Sequence, residues 1–149
     1  MPRVEIHMSS TVSPERVRKA FIDFSPDRPK TWPGIAPELY EVYETGETWA
    51  EVREGSTMPG TSVWAREHYD WSDPETVRWT VKESNFCAVG SYVEATIRSD
   101  GGGGSTIEVT WNRQPTTFGA RLMTAIIVGT RGMPIARSIR AGLATIKDG

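Results

Sequence analysis

Cysteine and histidine are nearly absent from this chain. Its 149 residues include one cysteine, Cys87, and two histidines, His7 and His68. A lone cysteine excludes an intrachain disulfide and is typical of a reducing compartment, so we expect a cytoplasmic location. Neither histidine lies at metal-ligand spacing from a second ligand residue. We therefore expect neither a metal nor a cofactor.

An excess of basic residues and long apolar runs are also lacking. The formal net charge is −2 and the pI is about 5.7, which argues against a nucleic-acid partner, because such proteins usually carry a basic face. The most apolar stretch, Leu122 to Val128, is far too short to span a bilayer, and Met1 to Glu5 contain no apolar signal core. We expect a protein without stable membrane insertion.

The common catalytic fingerprints are missing as well. The sequence contains no nucleophile elbow, no paired-cysteine motif and no dinucleotide-binding motif. The glycine run from Gly101 to Gly104 lies between two strand-like segments with no helix after it. This context predicts a hairpin turn rather than a phosphate-binding loop.

The first part of the chain predicts one strand followed by two short helices. Val4 to Met8 alternate between apolar and polar residues, as in a half-buried strand. Ser13 is a suitable N-cap, with proline next to it, and this helix should end near Ser25 because Pro26 follows. Residues 29–37 predict a second short helix or turn that carries Trp32.

The remainder predicts a sheet and then one long helix. The helix runs from Thr116 to Lys147, and the segment from Gly129 to Pro134 predicts a kink or break in it. A longer loop is expected from Gly55 to Gly60. Six strands are predicted before the helix, at Leu39–Glu44, Thr48–Arg53, Ser62–Trp71, Thr76–Glu83, Tyr92–Arg98 and Thr106–Asn112.

This order of elements predicts an α+β domain, residues 1–149, with a ligand cavity. A curved antiparallel sheet of about seven strands would wrap around the terminal helix, and a single helix over so large a sheet leaves a space beside it. The strand phases and the apolar stripes of the helices indicate which residues would line this space. They are Trp32, Trp79, Val81, Trp111, Phe118, Leu122 and Ile126.

Glu67 is the most unusual polar residue of the predicted inner face. It shares the apolar phase of its strand with Tyr69, and a carboxyl group there must be paired, bound to a ligand or protonated. Burial would raise its pKa, so Glu67 and Tyr69 are candidate acid–base residues. The alternatives are a structural pair with an arginine, for which Arg137 is one candidate, or a β-bulge that turns Glu67 to solvent.

Several segments, taken in order, resemble the SRPBCC (START-like, helix-grip) superfamily, and in particular its polyketide cyclase/dehydrase and lipid-transport branch. They are Val12–Val17, Trp32-Pro33-Gly34, Arg66-Glu67-His68, Asp73-Pro74 and Thr106–Trp111 with the long helix after it. The resemblance covers essentially the whole chain. It implies a helix-grip fold with a deep, mostly apolar cavity, and it supplies no shared catalytic residue to carry over.

The sequence therefore favours binding of a small hydrophobic molecule, such as a lipid, a polyketide or another aromatic compound, by a monomer or homodimer. Two alternatives remain open. One is a cofactor-independent polyketide cyclase or dehydratase that uses Glu67 and Tyr69. The other is a protein-interaction module that uses Trp49 and Trp64, which the strand phases place on the outer face of the sheet.

Overall fold

The computed structural model describes residues 2–147, so Met1, Asp148 and Gly149, at the ends of the predicted domain, lie outside the described residues. Within residues 2–147, one sheet, four helices and a short 3-10 helix at Pro37–Leu39 make up this α+β structure. The strands are β1 (Arg3–Ser10), β2 (Glu41–Thr45), β3 (Trp49–Met58), β4 (Thr61–Asp70), β5 (Thr76–Ser84), β6 (Tyr92–Ser99) and β7 (Ser105–Asn112). The helices are α1 (Pro14–Phe21), α2 (Arg28–Thr31), α3 (Phe118–Gly129) and α4 (Met133–Lys147).

The seven strands form one antiparallel sheet in the order β1-β7-β6-β5-β4-β3-β2. Burial alternates along β6 and β7 as the sequence predicts, because successive side chains in a strand point to opposite faces. The inner face carries Val93, Ala95 and Ile97 of β6, all buried. The predicted seven-stranded sheet, with two short helices after its first strand, is confirmed.

Several boundaries differ from the sequence prediction by a few residues, and the largest differences are at the ends of β3 and α1. β3 continues through Gly55 to Met58, so the predicted long loop is a tight turn at residues 59–60. Gly60 provides the positive φ of 77° that this turn requires. Helix α1 begins after its N-cap Ser13, as predicted, but it ends at Phe21 rather than near Ser25.

The predicted break in the terminal helix is confirmed. α3 and α4 are separated by residues 130–132, in which Arg131 and Gly132 have φ angles of 55° and 82°. Gly132 also packs closely on the sheet, because a Cβ atom there would lie 2.7 Å from Ile6 Cγ1. No helix in residues 2–147 is both long and apolar enough to cross a membrane.

The predicted orientation of the apolar stripe on α3 is wrong. Phe118, Leu122 and Ile126 are 74%, 54% and 54% exposed, and the buried residues of α3 are Thr124 and Ile127. The physical reason is that α3 is apolar around most of its circumference, so helical periodicity alone does not show which side meets the sheet.

Candidate functional site

A cavity of about 480 Å³ lies between the inner face of the sheet and the helices. Strands β3 to β7 and all four helices contribute to its wall, which is mostly apolar. A second space of about 390 Å³ lies beneath α3. The two adjoin, because Met58, Val63, Phe86, Trp111, Arg113, Met123 and Ile127 line both.

Five of the nine predicted site residues lie in the wall of the larger cavity. They are Trp32, Glu67, Tyr69, Trp79 and Trp111. Val81 is fully buried but packs with Ala65 and Cys87 in a separate small cluster. The remaining three, Phe118, Leu122 and Ile126, point away from both spaces.

Aromatic rings form a continuous part of the wall. The ring of Trp79 stacks on Tyr69, with centroids 5.3 Å apart and planes inclined by 17°, and Phe21 links Trp79 to Trp32 at centroid distances of 5.9 and 5.0 Å. Trp32 is fixed by a 3.0 Å hydrogen bond that its Nε1 donates to the carbonyl oxygen of Ala20. This part of the cavity wall is therefore a continuous aromatic surface that hydrogen bonding and ring packing hold in place.

Glu67 forms a buried ion pair with Arg113. Arg113 Nη2 donates to Glu67 Oε2 at 3.0 Å, and Nη1 lies 3.6 Å from the Cys87 sulfur. Burial raises the pKa of Glu67 to about 6, although the Arg113 charge opposes that rise. The hydrogen-bond register of β4 against β5 shifts between Arg66 and Glu67, and this bulge leaves Glu67 facing inward. Of the alternatives foreseen for Glu67, the pair with an arginine occurs, although the partner is Arg113 and not Arg137, whereas the bulge does not turn Glu67 to solvent, because its side chain is buried.

A second buried network surrounds Arg28. Its Nε donates to Glu54 Oε2 at 2.7 Å, and the two side chains are only 4% and 9% exposed. Arg28 Nη1 donates to three backbone carbonyl oxygens at the end of α1 and beyond, and Nη2 lies 3.3 Å from the Tyr69 hydroxyl. Arg28 therefore connects α2 to the end of α1 and to the inner face of the sheet.

The Tyr69 hydroxyl is already engaged in this network. It donates to Glu54 Oε1, and burial together with the Glu54 charge raises the pKa of Tyr69 well above 10. The phenol stays protonated, and its proton is directed at Glu54 rather than at the cavity. Of the two candidate acid–base residues, Glu67 is the one whose pKa is near neutrality.

Sequence reasoning missed Arg28, Glu54 and Arg113. Two of them continue a strand phase that the sequence shows: Glu54 follows the inward Ala50 and Val52, and Arg113 follows Ile107, Val109 and Trp111. Both residues were missed because each lies one position beyond the end of its predicted strand. Arg28 begins the four-residue helix α2, which is too short for any periodicity to predict its burial.

The other polar candidates lie elsewhere. His7 is exposed and 3.5 Å from Glu108, and His68 contacts Glu51 at 2.5 Å while stacking on Trp49. Arg137 is exposed on α4 and does not reach Glu67. Within residues 2–147, no group of three or more His, Cys, Asp or Glu side chains is arranged to hold a metal ion.

The raised pKa of Glu67 predicts a pH-dependent stability. A folded-state pKa of about 6 against an ordinary 4.5 means that the folded protein holds this proton more tightly. The stability that the folded protein gains from this tighter proton binding is fully present below pH 4.5 and is lost as the pH rises through about 6. The free energy of unfolding therefore falls by about 2 kcal/mol across this range. We therefore expect the free energy of unfolding of Glu67→Gln to rise by about 2 kcal/mol relative to that of wild type as the pH goes from 4 to 8.

Urea denaturation of both proteins across this pH range measures the difference, in which other titrating groups cancel. A difference that stays constant, or that moves in favour of wild type at high pH, would show that Arg113 compensates fully for the burial of Glu67.

Solved structures of other proteins share this fold. No model of a known protein family and no curated protein sequence matches the chain. The Zhui aromatase/cyclase from Streptomyces sp. R1128 superimposes with a TM-score of 0.79 at 14% identity, over 97% of this chain and 93% of that one. A START superfamily protein from Mycobacterium smegmatis gives 0.77 at 11% identity, over 97% and 98% of the two chains. A protein from Thermus thermophilus gives 0.76 at 18% identity, over 97% and 96%.

These structures share the architecture described above: a curved antiparallel sheet with two short helices after its first strand and a C-terminal helical segment across it. The chain has a START-like, helix-grip fold, as the sequence resemblance predicts. At these sequence identities, the similarity concerns the fold alone.

Proposed function

We propose that this protein binds one small hydrophobic molecule, such as a lipid, a polyketide or another aromatic compound, in the cavity between sheet and helices. The observation that carries the proposal is the cavity itself. Its volume of about 480 Å³ lies in the range of small-molecule sites, and its wall combines stacked aromatic rings with few polar groups.

The charges in the wall support binding of an apolar rather than an ionic ligand. Arg28 is neutralised by Glu54, and Arg113 by Glu67, so each buried charge has a partner within the protein. A charged ligand would have to displace one of these pairs, whereas an apolar ligand gains roughly 25 cal/mol per Å² of surface removed from water. Polar ligand atoms would meet the Glu67–Arg113 pair.

The fold supports this proposal without identifying the ligand. Similar structures include one described as an aromatase/cyclase and one assigned to the START superfamily. We also propose a cytoplasmic location for the protein. The thiol of Cys87 is free and buried, which is consistent with a reducing compartment.

A cyclase or dehydratase is the second candidate, and Glu67 is the observation that favours it. Its carboxyl group lies in the cavity wall, and its pKa of about 6 suits proton transfer near neutrality. If Glu67 is catalytic, Glu67→Gln will bind the ligand and lose turnover. The outer tryptophans give weaker support to the third alternative, an interaction module, because Trp49 is partly buried and stacks on His68.

Native mass spectrometry of freshly purified protein tests the binding proposal. We expect a stoichiometric passenger that extraction into organic solvent releases and identifies. A protein that arrives empty and takes up neither lipids nor aromatic polyketides from a panel would refute the proposal.

A variant that fills the cavity provides the matching prediction. Val63 is partly buried and lines both spaces, so Val63→Trp places an indole in the ligand volume. We expect affinity for any identified passenger to fall about tenfold or more, because the ligand and the new ring compete for the same space. Isothermal titration calorimetry measures the change.

Thr96→Trp is the control, because Thr96 lies on the opposite, outer face of the sheet. It should bind as wild type does. Equal affinity for all three proteins would show that the ligand binds outside this cavity.

A further inference from the structure

Helix α3 exposes an apolar face that the cavity does not use. We define the α3 face by Phe118, Leu122 and Ile126, which lie on one side of the helix and are more than half exposed. Of the twelve residues of α3, only Thr124 and Ile127 are buried. The side of the helix opposite to these two therefore has no covering within the described chain.

Exposed apolar side chains are concentrated here. Among residues 2–147, six of the eight large hydrophobic side chains that are exposed lie between Phe118 and Met133. Single exposed apolar residues are ordinary on protein surfaces, whereas a contiguous group marks a site of contact with a partner or a membrane.

The charge of the same segment indicates the partner. Residues 113–147 contain six basic residues and no acidic one, whereas residues 1–112 contain eleven basic and eighteen acidic residues. Arg121, Arg131, Arg137 and Arg140 are exposed, and within residues 2–147 none of them lies within 4.0 Å of a carboxylate. The exposed apolar helix therefore belongs to a segment with uncompensated positive charge in a chain that is otherwise acidic.

We propose that the α3 face docks on the surface of a lipid bilayer that contains anionic lipids. A helix with a protruding apolar face and basic neighbours lies in the plane of the interface, with its apolar side chains in the acyl boundary and its arginines at the headgroups. Twelve residues of α-helix are about 18 Å long, too short to span the bilayer.

A second copy of the chain fits this face less well. A two-fold dimer through α3 brings the same surface of each protomer together, so Arg121, which lies on this helix, would approach Arg121 of the other copy without a carboxylate between them. An anionic membrane supplies the opposite charge along the whole segment.

Vesicle co-sedimentation of the full chain tests the proposal. Wild type should bind vesicles of phosphatidylcholine mixed with phosphatidylglycerol, bind pure phosphatidylcholine vesicles much more weakly, and dissociate as salt is raised. The double variant Leu122→Ser/Ile126→Ser should bind the mixed vesicles about tenfold or more weakly, because two apolar side chains no longer leave water. Tyr43→Ser, which removes an exposed aromatic residue from the distant edge strand β2, is the control and should bind as wild type does.

A charge variant separates the electrostatic part. Arg121→Gln should weaken binding to the mixed vesicles about fivefold and leave binding to pure phosphatidylcholine unchanged. Arg98→Gln, whose arginine lies on β6 and pairs with Glu75, should have no such effect.

Three results would overturn the proposal. They are no association of wild type with anionic vesicles, association that the double variant retains in full, and a solution dimer that sedimentation shows to dissociate in the double variant. The last would assign the α3 face to a second copy. Because Leu122 and Ile126 lie outside both cavities, ligand retention in the double variant tests the binding proposal separately.

Discussion

Arg28→Met is expected to lower the free energy of unfolding by about 3–5 kcal/mol. The substitution leaves Glu54 in a site where its side chain is 9% exposed and removes its 2.7 Å ion pair. It also removes the side-chain donor that Arg28 supplies to the carbonyl oxygens of Phe21 and Asp23, whereas the carbonyl oxygen of Ala20 keeps its bond from Trp32 Nε1. An uncompensated buried charge is among the most costly single changes in a protein, and urea denaturation at pH 7 measures it.

Two further variants make this prediction specific. Arg98→Met removes an arginine that is 54% exposed and bonded to Glu75, and it should cost less than about 1 kcal/mol, since water solvates the remaining carboxylate. Adding Glu54→Gln to Arg28→Met should recover part of the loss. A double variant no more stable than Arg28→Met would indicate that the carbonyl contacts, and not the buried charge, account for the effect.

Gly142→Ala is expected to destabilise the protein by about 3 kcal/mol, at the upper end of the range for overpacking. A Cβ atom at this position in α4 would fall on the six-membered ring of Trp32, well inside van der Waals contact. Trp32 has little freedom to yield, because its Nε1 is bonded to Ala20 and its ring packs on Phe21. Thermal or urea unfolding measures the loss.

Gly129→Ala provides the contrast within the same pair of helices. No atom lies within 4 Å of the position that its Cβ would occupy, so helix propensity alone should act. We expect a gain of about 0.5–1 kcal/mol, because alanine loses less conformational entropy than glycine on entering a helix. A gain of the same size for Gly142→Ala would mean that Trp32 moves aside and that α4 is not locked against it.

The sheet was predictable because each strand carries its own signal. Val93, Ala95 and Ile97 alternate with polar residues, and Ser13 followed by proline fixes the start of α1 within one residue. Segment ends were less predictable. The strand β3 continues past Gly55, a residue that usually weakens a strand, because its partner β4 supplies hydrogen bonds along the whole hairpin.

The candidate site was predictable only where a polar residue interrupts an apolar phase, as Glu67 does. The burial of Arg28 was not predictable, because it depends on carbonyl groups and a carboxylate that only the tertiary fold brings together. The side of α3 that faces the sheet was not predictable either, because an almost wholly apolar helix has no polar face to mark its solvent side.

The order of the strands in the sheet affects how the chain folds. The first strand is hydrogen-bonded only to the last, with Val4 opposite Trp111, so closing this pair brings together residues that are about a hundred positions apart. On a ribosome that adds about 5–20 residues per second, about 5–20 seconds pass between the synthesis of β1 and that of its partner strand. Because loop closure must precede such non-local pairing, we expect the β1–β7 pair to form late in folding and the inner face of β1 to stay exposed to other chains until then.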